Sequence, residues 1–136
     1  MTEDARIARI LTEVKTIALV GWSPKADRPS HRVAAFMAAR GCRVIPVNPG
    51  QAGQDSGWGE AVRASLAEVG PVDMVDIFRR AEEVGPVVDE AIASGAKVIW
   101  MQLGIENPEA AAKAEAAGME VVMNRCPAIE IPRLGL

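Results

Sequence analysis

Ile17-Ala-Leu-Val-Gly-Trp-Ser-Pro-Lys-Ala-Asp-Arg-Pro-Ser-His-Arg-Val33 is the stretch whose reading decides the fold of this chain. An apolar run short enough to be a buried strand ends at Gly21. A polar loop follows, carrying Ser23, Lys25, Arg28 and Ser30, and a helical pattern begins at about Ser30. A strand that feeds a glycine turn and then a helix presents free backbone N–H groups and the positive end of the helix dipole at one place. That is how α/β proteins hold phosphate. The loop adds cations and hydroxyls to those amides, so the segment points to a phosphate-bearing ligand.

Working outward, hydrophobic spacing predicts a first helix over about Glu3 to Val14, with Ile7, Ile10, Leu11 and Val14 on one face. Thr16–Val20 reads as strand one. Helix two, with Ser30 as its N-cap and Val33, Phe36 and Met37 inward, stops at Gly41. Strand two is Arg43–Val47, ending in Asn48-Pro49-Gly50. Gln51 to Gly59 reads as a surface loop, and Ala64–Val69 as a short irregular or helical piece. Strand three is Met74–Phe78, helix three about Ala81–Ser94 with Gly95 closing it, and strand four Lys97–Met101. Asn107-Pro108 opens helix four as an N-cap followed by a first-turn proline, and Gly118 ends it. Strand five is Met119–Met123. The tail from Asn124 to Leu136, with two prolines, reads as an irregular strap.

Nearly continuous apolar strands alternating with helices imply a parallel sheet covered on both faces. Right-handed crossovers then make a doubly wound α/β fold. The 136 residues suit one domain, spanning 1–136, and the 49% hydrophobic content suits a globular core. A net charge of −3 argues against nucleic acid and anionic membrane as partners, so any phosphate site must be local. No apolar stretch approaches the roughly 20 residues that span a bilayer. The polar, acidic N-terminus is unlike a signal peptide, which makes the cytoplasm the expected location. Two isolated cysteines and a single histidine suggest neither a disulfide framework nor a metal site.

Ligands of such sheets lie beyond the carboxyl ends of the strands. The loops there are 21–30, 48–51, 78–81, 102–106 and 124–127. The first holds only the leading glycine of the dinucleotide fingerprint G-x-G-x-x-G. Where NAD-binding proteins carry an acidic residue after strand two, this chain has Asn48. A neutral residue there tolerates a ribose phosphate that a carboxylate would repel. No Walker A pattern is present.

Val20-Gly-Trp-Ser-Pro-Lys25, Arg28-Pro29-Ser30, Val47-Asn-Pro49, Asp76-Ile-Phe-Arg-Arg80, Trp100-Met-Gln-Leu-Gly-Ile105 and Asn124-Arg-Cys-Pro127 together resemble the small coenzyme A-binding protein family. That family is itself similar to the nucleotide-binding domain of the succinyl-CoA synthetase α subunit. The resemblance covers almost the whole chain and reaches every strand end named above. It implies a Rossmann-like five-stranded domain that holds coenzyme A or an acyl-CoA without a known reaction of its own. Carried over residue by residue, it implies ligand contacts at Gly21, Trp22, Ser23, Lys25, Arg28, Pro29, Ser30, Asn48, Pro49, Ile77, Phe78, Arg79, Arg80, Gln102 and Gly104. The synthetase α subunit carries its phosphorylated histidine on a second domain that has no counterpart here, so its ligase chemistry is not expected.

Alternatives stay open at several of these positions. Lys25 is either a phosphate ligand or a solvated lysine, and Arg28 and Ser30 either bind phosphate or cap helix two. Arg79 and Arg80 either meet phosphate or close a salt-bridged helix start. His31 reads as a helix-start residue, Trp100 as core, and Asp76 as a group bonded to a neighbouring loop. Cys126 lies on the ligand side of the sheet as a partly buried thiol. Whether it forms a mixed disulfide with the coenzyme is open, while Cys42 sits at the opposite edge. No catalytic or metal-ligating residue is expected. Two rival functions are a remnant of an acyl-CoA synthetase α subunit that needs a partner protein, and an NAD(H)-binding redox sensor. A protein partner or homo-oligomer is compatible with either.

Overall fold

The computed structural model describes residues 1–136. Five parallel strands, β1 (Thr16–Val20), β2 (Arg43–Val47), β3 (Met74–Ile77), β4 (Val98–Met101) and β5 (Glu120–Val122), form one sheet in the order β2-β1-β3-β4-β5. Helices α1 (Glu3–Glu13), α2 (Pro29–Ala39), α3 (Val84–Ser94), α4 (Pro108–Ala116) and α5 (Pro127–Arg133) cover it, making a single Rossmann-like α/β domain. Strand alternation divides the core in two. Ile17 and Leu19 of β1, Met74 of β3 and Trp100 of β4 face α1, α2 and α5. Ala18, Val20, Val75, Ile77, Ile99 and Met101 face α3 and α4.

Strand order reverses at β1. The chain moves out to β2, then returns to lay β3 on the other side of β1. The loops leaving β1 and β3 therefore lead to helices on opposite faces of the sheet, the arrangement that opens a crevice at the carboxyl ends. Register fixes this pairing: Val20 lies opposite Val47 on one side and Ile77 on the other. Pro46 is tolerated because β2 is an edge strand of the sheet. Its outer side is partly covered by residues 61–63, where Arg63 N–H donates to Pro46 O and Asn48 N–H to Arg63 O.

Among the expected helices, the observed starts differ at α2 and α3. Helix α2 takes Arg28 as its extended N-cap and Pro29 as its first residue, so Ser30 lies inside the first turn. A fixed proline φ suits that first position. The start of α3 is a short 3-10 turn over Ala81–Glu83 that passes into α-helix at Val84.

The largest correction is the tail. Residues 127–133 are helical, not an irregular strap. Pro127 occupies the first helical position, where its missing N–H costs nothing. Pro132 falls in the last turn, where only one intrahelical bond is lost. Glu130 is buried, accepts from Arg125 and Arg133, and Arg133 reaches on to Asp4 of α1. The surface loop at 51–59 is also less free than expected. Trp58 Nε1 donates to Val44 O at 2.8 Å and its ring meets Trp22 edge-on.

Candidate functional site

Gly21 ends β1 with φ of 93°. A Cβ placed there would lie 2.2 Å from the carbonyl oxygen of Phe78, so the β1–α2 and β3–α3 turns touch at backbone distance. Gly21 N–H donates to Val47 O at 2.9 Å and Phe78 N–H to Val20 O at 2.8 Å, which ties three strand ends together. Asn48 closes the junction. Its Nδ2 donates to Trp22 O at 2.7 Å, and its Oδ1 accepts from Gly50 N–H at 3.0 Å.

From Gly21 the chain turns inward. Trp22 is 1% exposed and stacks on His31 with ring centroids 5.7 Å apart. His31 Nδ1 lies 3.0 Å from Ser23 O. A carbonyl only accepts, so Nδ1 carries the hydrogen and this nitrogen is engaged within the turn. Ser23 Oγ accepts from Lys25 N–H at 3.2 Å. At the start of α2, His31 and Arg32 N–H both return to Arg28 O, while Pro29 has no N–H. Ser30, in the first turn of α2, where backbone N–H groups lack intrahelical partners, gathers with Gly21, Ser23, Lys25, Arg28 and Phe78. These residues with Pro29 line a concavity of about 340 Å³.

Pro29 and Phe78 also belong to a second, larger groove of about 910 Å³, so the two are contiguous. Its walls are α2 (Arg32, Val33, Phe36), the β3–α3 turn (Phe78, Arg79, Arg80, Ala81, Glu82), the β4–α4 turn (Gln102, Leu103, Gly104, Ile105) and the start of α5 (Cys126, Ala128, Ile129). Leu103 and Ile129 are 55% and 50% exposed. Apart from Met1 and Leu136 at the chain ends, they are the large hydrophobic residues left in solvent.

Charge follows the same contour. Arg80, 76% exposed, is held by Glu83 at 2.7 Å and Glu82 at 3.6 Å, which is the salt-bridged helix start. Lys25, Arg28, Arg32 and Arg79 make no ion pair with a carboxylate. In a chain of net charge −3 these cations converge on one crevice. That is a local anion-attracting field.

Beneath the groove, Asp76 is 1% exposed and accepts from Gln102 Nε2 at 2.9 Å. The partner is thus the first residue after β4, in a loop neighbouring β3. Its second oxygen, Oδ2, has no partner. Burial pushes the carboxyl up to about 7, against the lowering effect of Gln102. Gln102 itself lines the groove. Burial also pushes the Cys126 thiol up. The Ala128 and Ile129 amides offset this in part, while the charges of Asp76 and Glu130 add to it. Gly104, at φ of 78°, donates its N–H to Asn124 Oδ1 at 2.7 Å and joins the β4 and β5 exits.

Of the residues read from sequence, Gly21, Ser23, Lys25, Arg28, Pro29 and Ser30 line the smaller concavity. Pro29, Phe78, Arg79, Arg80, Gln102 and Gly104 line the groove. Trp22 and Ile77 have core side chains, and only their backbone reaches the strand ends. Asn48 and Pro49 line neither concavity, and the loop at 51–59, read from sequence as a surface loop, lies away from both. The α2 and α5 walls were not anticipated. Val33 and Phe36 read as core from helical spacing, and Ala128 and Ile129 sat in a tail read as irregular. No three of His, Cys, Asp and Glu gather in a metal-ligating cluster, and no helix is long and apolar enough to cross a membrane.

The model of the family described as CoA binding domain matches residues 15–132. The Bacillus subtilis protein YneT is 40% identical over 123 residues, covering 90% of this chain and 89% of that protein. Among solved structures, a hypothetical protein from Pyrococcus horikoshii OT3 superposes with a TM-score of 0.89 at 37% identity, covering 99% of this chain and 94% of that one. A redesigned form of the PH1109 protein superposes with a TM-score of 0.91 at 36% identity, covering 98% and 93%. A Thermus thermophilus protein superposes with a TM-score of 0.91 at 35% identity, covering 98% and 99%.

Proposed function

The chain belongs to the CoA binding domain family, and from that premise we propose that it holds coenzyme A or an acyl-CoA and carries out no reaction on it unaided. The observation that carries this reading is the convergence of Gly21, Ser23, Ser30 and the unpaired Lys25 and Arg28 at the start of α2, continuous through Phe78 with the larger groove. The coenzyme's phosphates sit in the smaller concavity, held by these cations and by first-turn amides. Adenosine rests toward the Asn48 and Phe78 strand ends. The pantetheine arm runs along the groove past Phe78 toward Gln102 and Gly104.

Asn48 supports the coenzyme over NAD(H), because no carboxylate stands where one would grip a dinucleotide's ribose hydroxyls. The engaged Nδ1 of His31 and its stacking on Trp22 support a holding role over acid–base work by this ring. Cys42 and Cys126 are free thiols, which suits the reducing cytoplasm. Native mass spectrometry of the freshly purified protein tests the reading. A co-purifying ligand of coenzyme A or acyl-CoA mass supports it, and a ligand of NAD mass contradicts it.

A further inference from the structure

We infer that the larger groove seats the acyl group of an acyl-CoA, and that it selects a medium-length apolar chain over an acetyl or a carboxylate-ended one. This deepens the reading above and rests on it, because the anchored coenzyme fixes where the acyl group begins. The phosphate concavity and the groove share Pro29 and Phe78, so an arm held at Lys25 and Arg28 has the groove as its continuation.

Strand order sets what that arm meets. The concavity is built on the turns leaving β1 and β3, and β4 and β5 follow on one side of β3. With strands about 4.8 Å apart, the exits of β4 and β5 lie roughly 10 and 15 Å from that of β1. Charge falls away along this line. Every charged residue that lines the groove, Arg32, Arg79, Arg80 and Glu82, comes from α2 or the β3–α3 turn. The β4–α4 turn and the start of α5 line it with no charged residue. The groove thus has a charged side next to the phosphates and an uncharged side where the thioester arrives.

Exposure marks the same side independently. Leu103 and Ile129 stand half in solvent, and apart from Met1 and Leu136 at the chain ends no other large hydrophobic residue does so. Both line the groove, one on each uncharged wall. Apolar groups left in water at a concavity are the mark of a ligand surface. The volume of about 910 Å³ lies toward the upper end of the roughly 300–1,000 Å³ typical of small-molecule sites, which leaves room beside a slender pantetheine arm. An acyl chain seated against Leu103 and Ile129 takes apolar surface on both partners out of water. A carboxylate at the end of that chain would give up hydration where no cation lines the wall.

Calorimetric titration with free coenzyme A and with its acetyl, butyryl, succinyl and octanoyl thioesters reads the preference. Butyryl and succinyl groups have equal carbon counts, so that pair isolates the carboxylate. Octanoyl-CoA should bind about tenfold or more tighter than acetyl-CoA, and butyryl-CoA about tenfold tighter than succinyl-CoA. Leu103→Ser combined with Ile129→Ser removes side chains already half in solvent, so the fold should persist while the octanoyl-to-acetyl affinity ratio falls toward one. Equal affinities for octanoyl- and acetyl-CoA, succinyl-CoA bound as tightly as butyryl-CoA, or an unchanged ratio in the double variant overturns the inference. Free coenzyme A separates the two claims. If it binds saturably alongside any of those results, only the acyl preference falls. If neither it nor any thioester binds, the holding function falls and the acyl preference with it.

Discussion

The carbonyl oxygen of Phe78 would stand 2.2 Å from a Cβ at Gly21. That single approach locks the loops leaving β1 and β3 side by side, and those loops carry the unpaired cations of the site. Gly21→Ala meets both a φ of 93° and this contact. Left-handed strain and forced repacking each cost about 1–3 kcal/mol. The expected outcome is a clear fall in the urea midpoint together with weakened coenzyme binding. A variant as stable as the parent would mean that the turn relaxes freely and that the approach is not a constraint.

Lys25 and Arg28 are exposed and make no ion pair, so neither holds the fold together. Lys25→Ala and Arg28→Ala should each weaken coenzyme A binding roughly 10- to 100-fold, the loss of a charge-assisted contact, while the thermal midpoint without ligand stays put. Arg79 and Arg80 supply a contrast within the groove. Arg79 has no ion-pair partner, whereas Arg80 is engaged by Glu82 and Glu83. Arg79→Ala should therefore cost more affinity than Arg80→Ala, and the reverse order in calorimetry would reassign the two.

How much of this was legible in the sequence follows from which signals are local. The run from Ile17 to Val33 carries its own strand, turn and helix start, so the first strand and the turn that leads into α2 could be read directly. The tail could not, because two prolines five residues apart, Pro127 and Pro132, look like breakers unless Pro127 is recognised as a helix start. The groove wall formed by α5 disappeared from view with it. Trp22 and Ile77 share motifs with real strand-end residues, yet strand alternation and packing turn their side chains into the core, which no motif reveals. The unsatisfied oxygen of Asp76 was invisible for the same reason. An acidic residue inside an apolar strand signals something unusual, but only the neighbouring β4 shows that Gln102 meets one oxygen and leaves the other.

Asp76 gives stability an unusual pH dependence. Its carboxyl has an ordinary value of 3.8 and is raised to about 7 in the folded chain. Below pH 3.8 both states hold the proton and the group is neutral to stability. Between those values the unfolded chain releases the proton while the folded chain keeps it, so stability falls as pH rises and the loss is complete above about pH 7. The lowered carboxyls of Asp4, Glu60, Asp73 and Glu130 act in the opposite sense and at lower pH, equally in both proteins. Asp76→Asn should thus gain on the parent as pH is raised from 4.5 to 8, read as the difference in urea midpoints. A constant difference across that range would contradict the burial of a titrating carboxyl.

Chemistry on the thioester is expected to be absent. His31 is the one histidine of the chain, and its Nδ1 and one ring face are occupied by Ser23 and Trp22. Incubation of the chain with acetyl-, succinyl- and longer acyl-CoA, with and without ATP and magnesium, should release no free thiol above the uncatalysed rate. Sustained turnover abolished by His31→Ala would make the protein an enzyme.

The most direct measurement is calorimetric titration of the chain with coenzyme A, dephospho-coenzyme A and NAD under reducing conditions. The cationic turn at the start of α2 and the neutral Asn48 predict saturable binding of coenzyme A, weaker binding once the 3′-phosphate is removed, and weaker binding still of NAD. NAD binding equal to or tighter than that of coenzyme A would contradict the account.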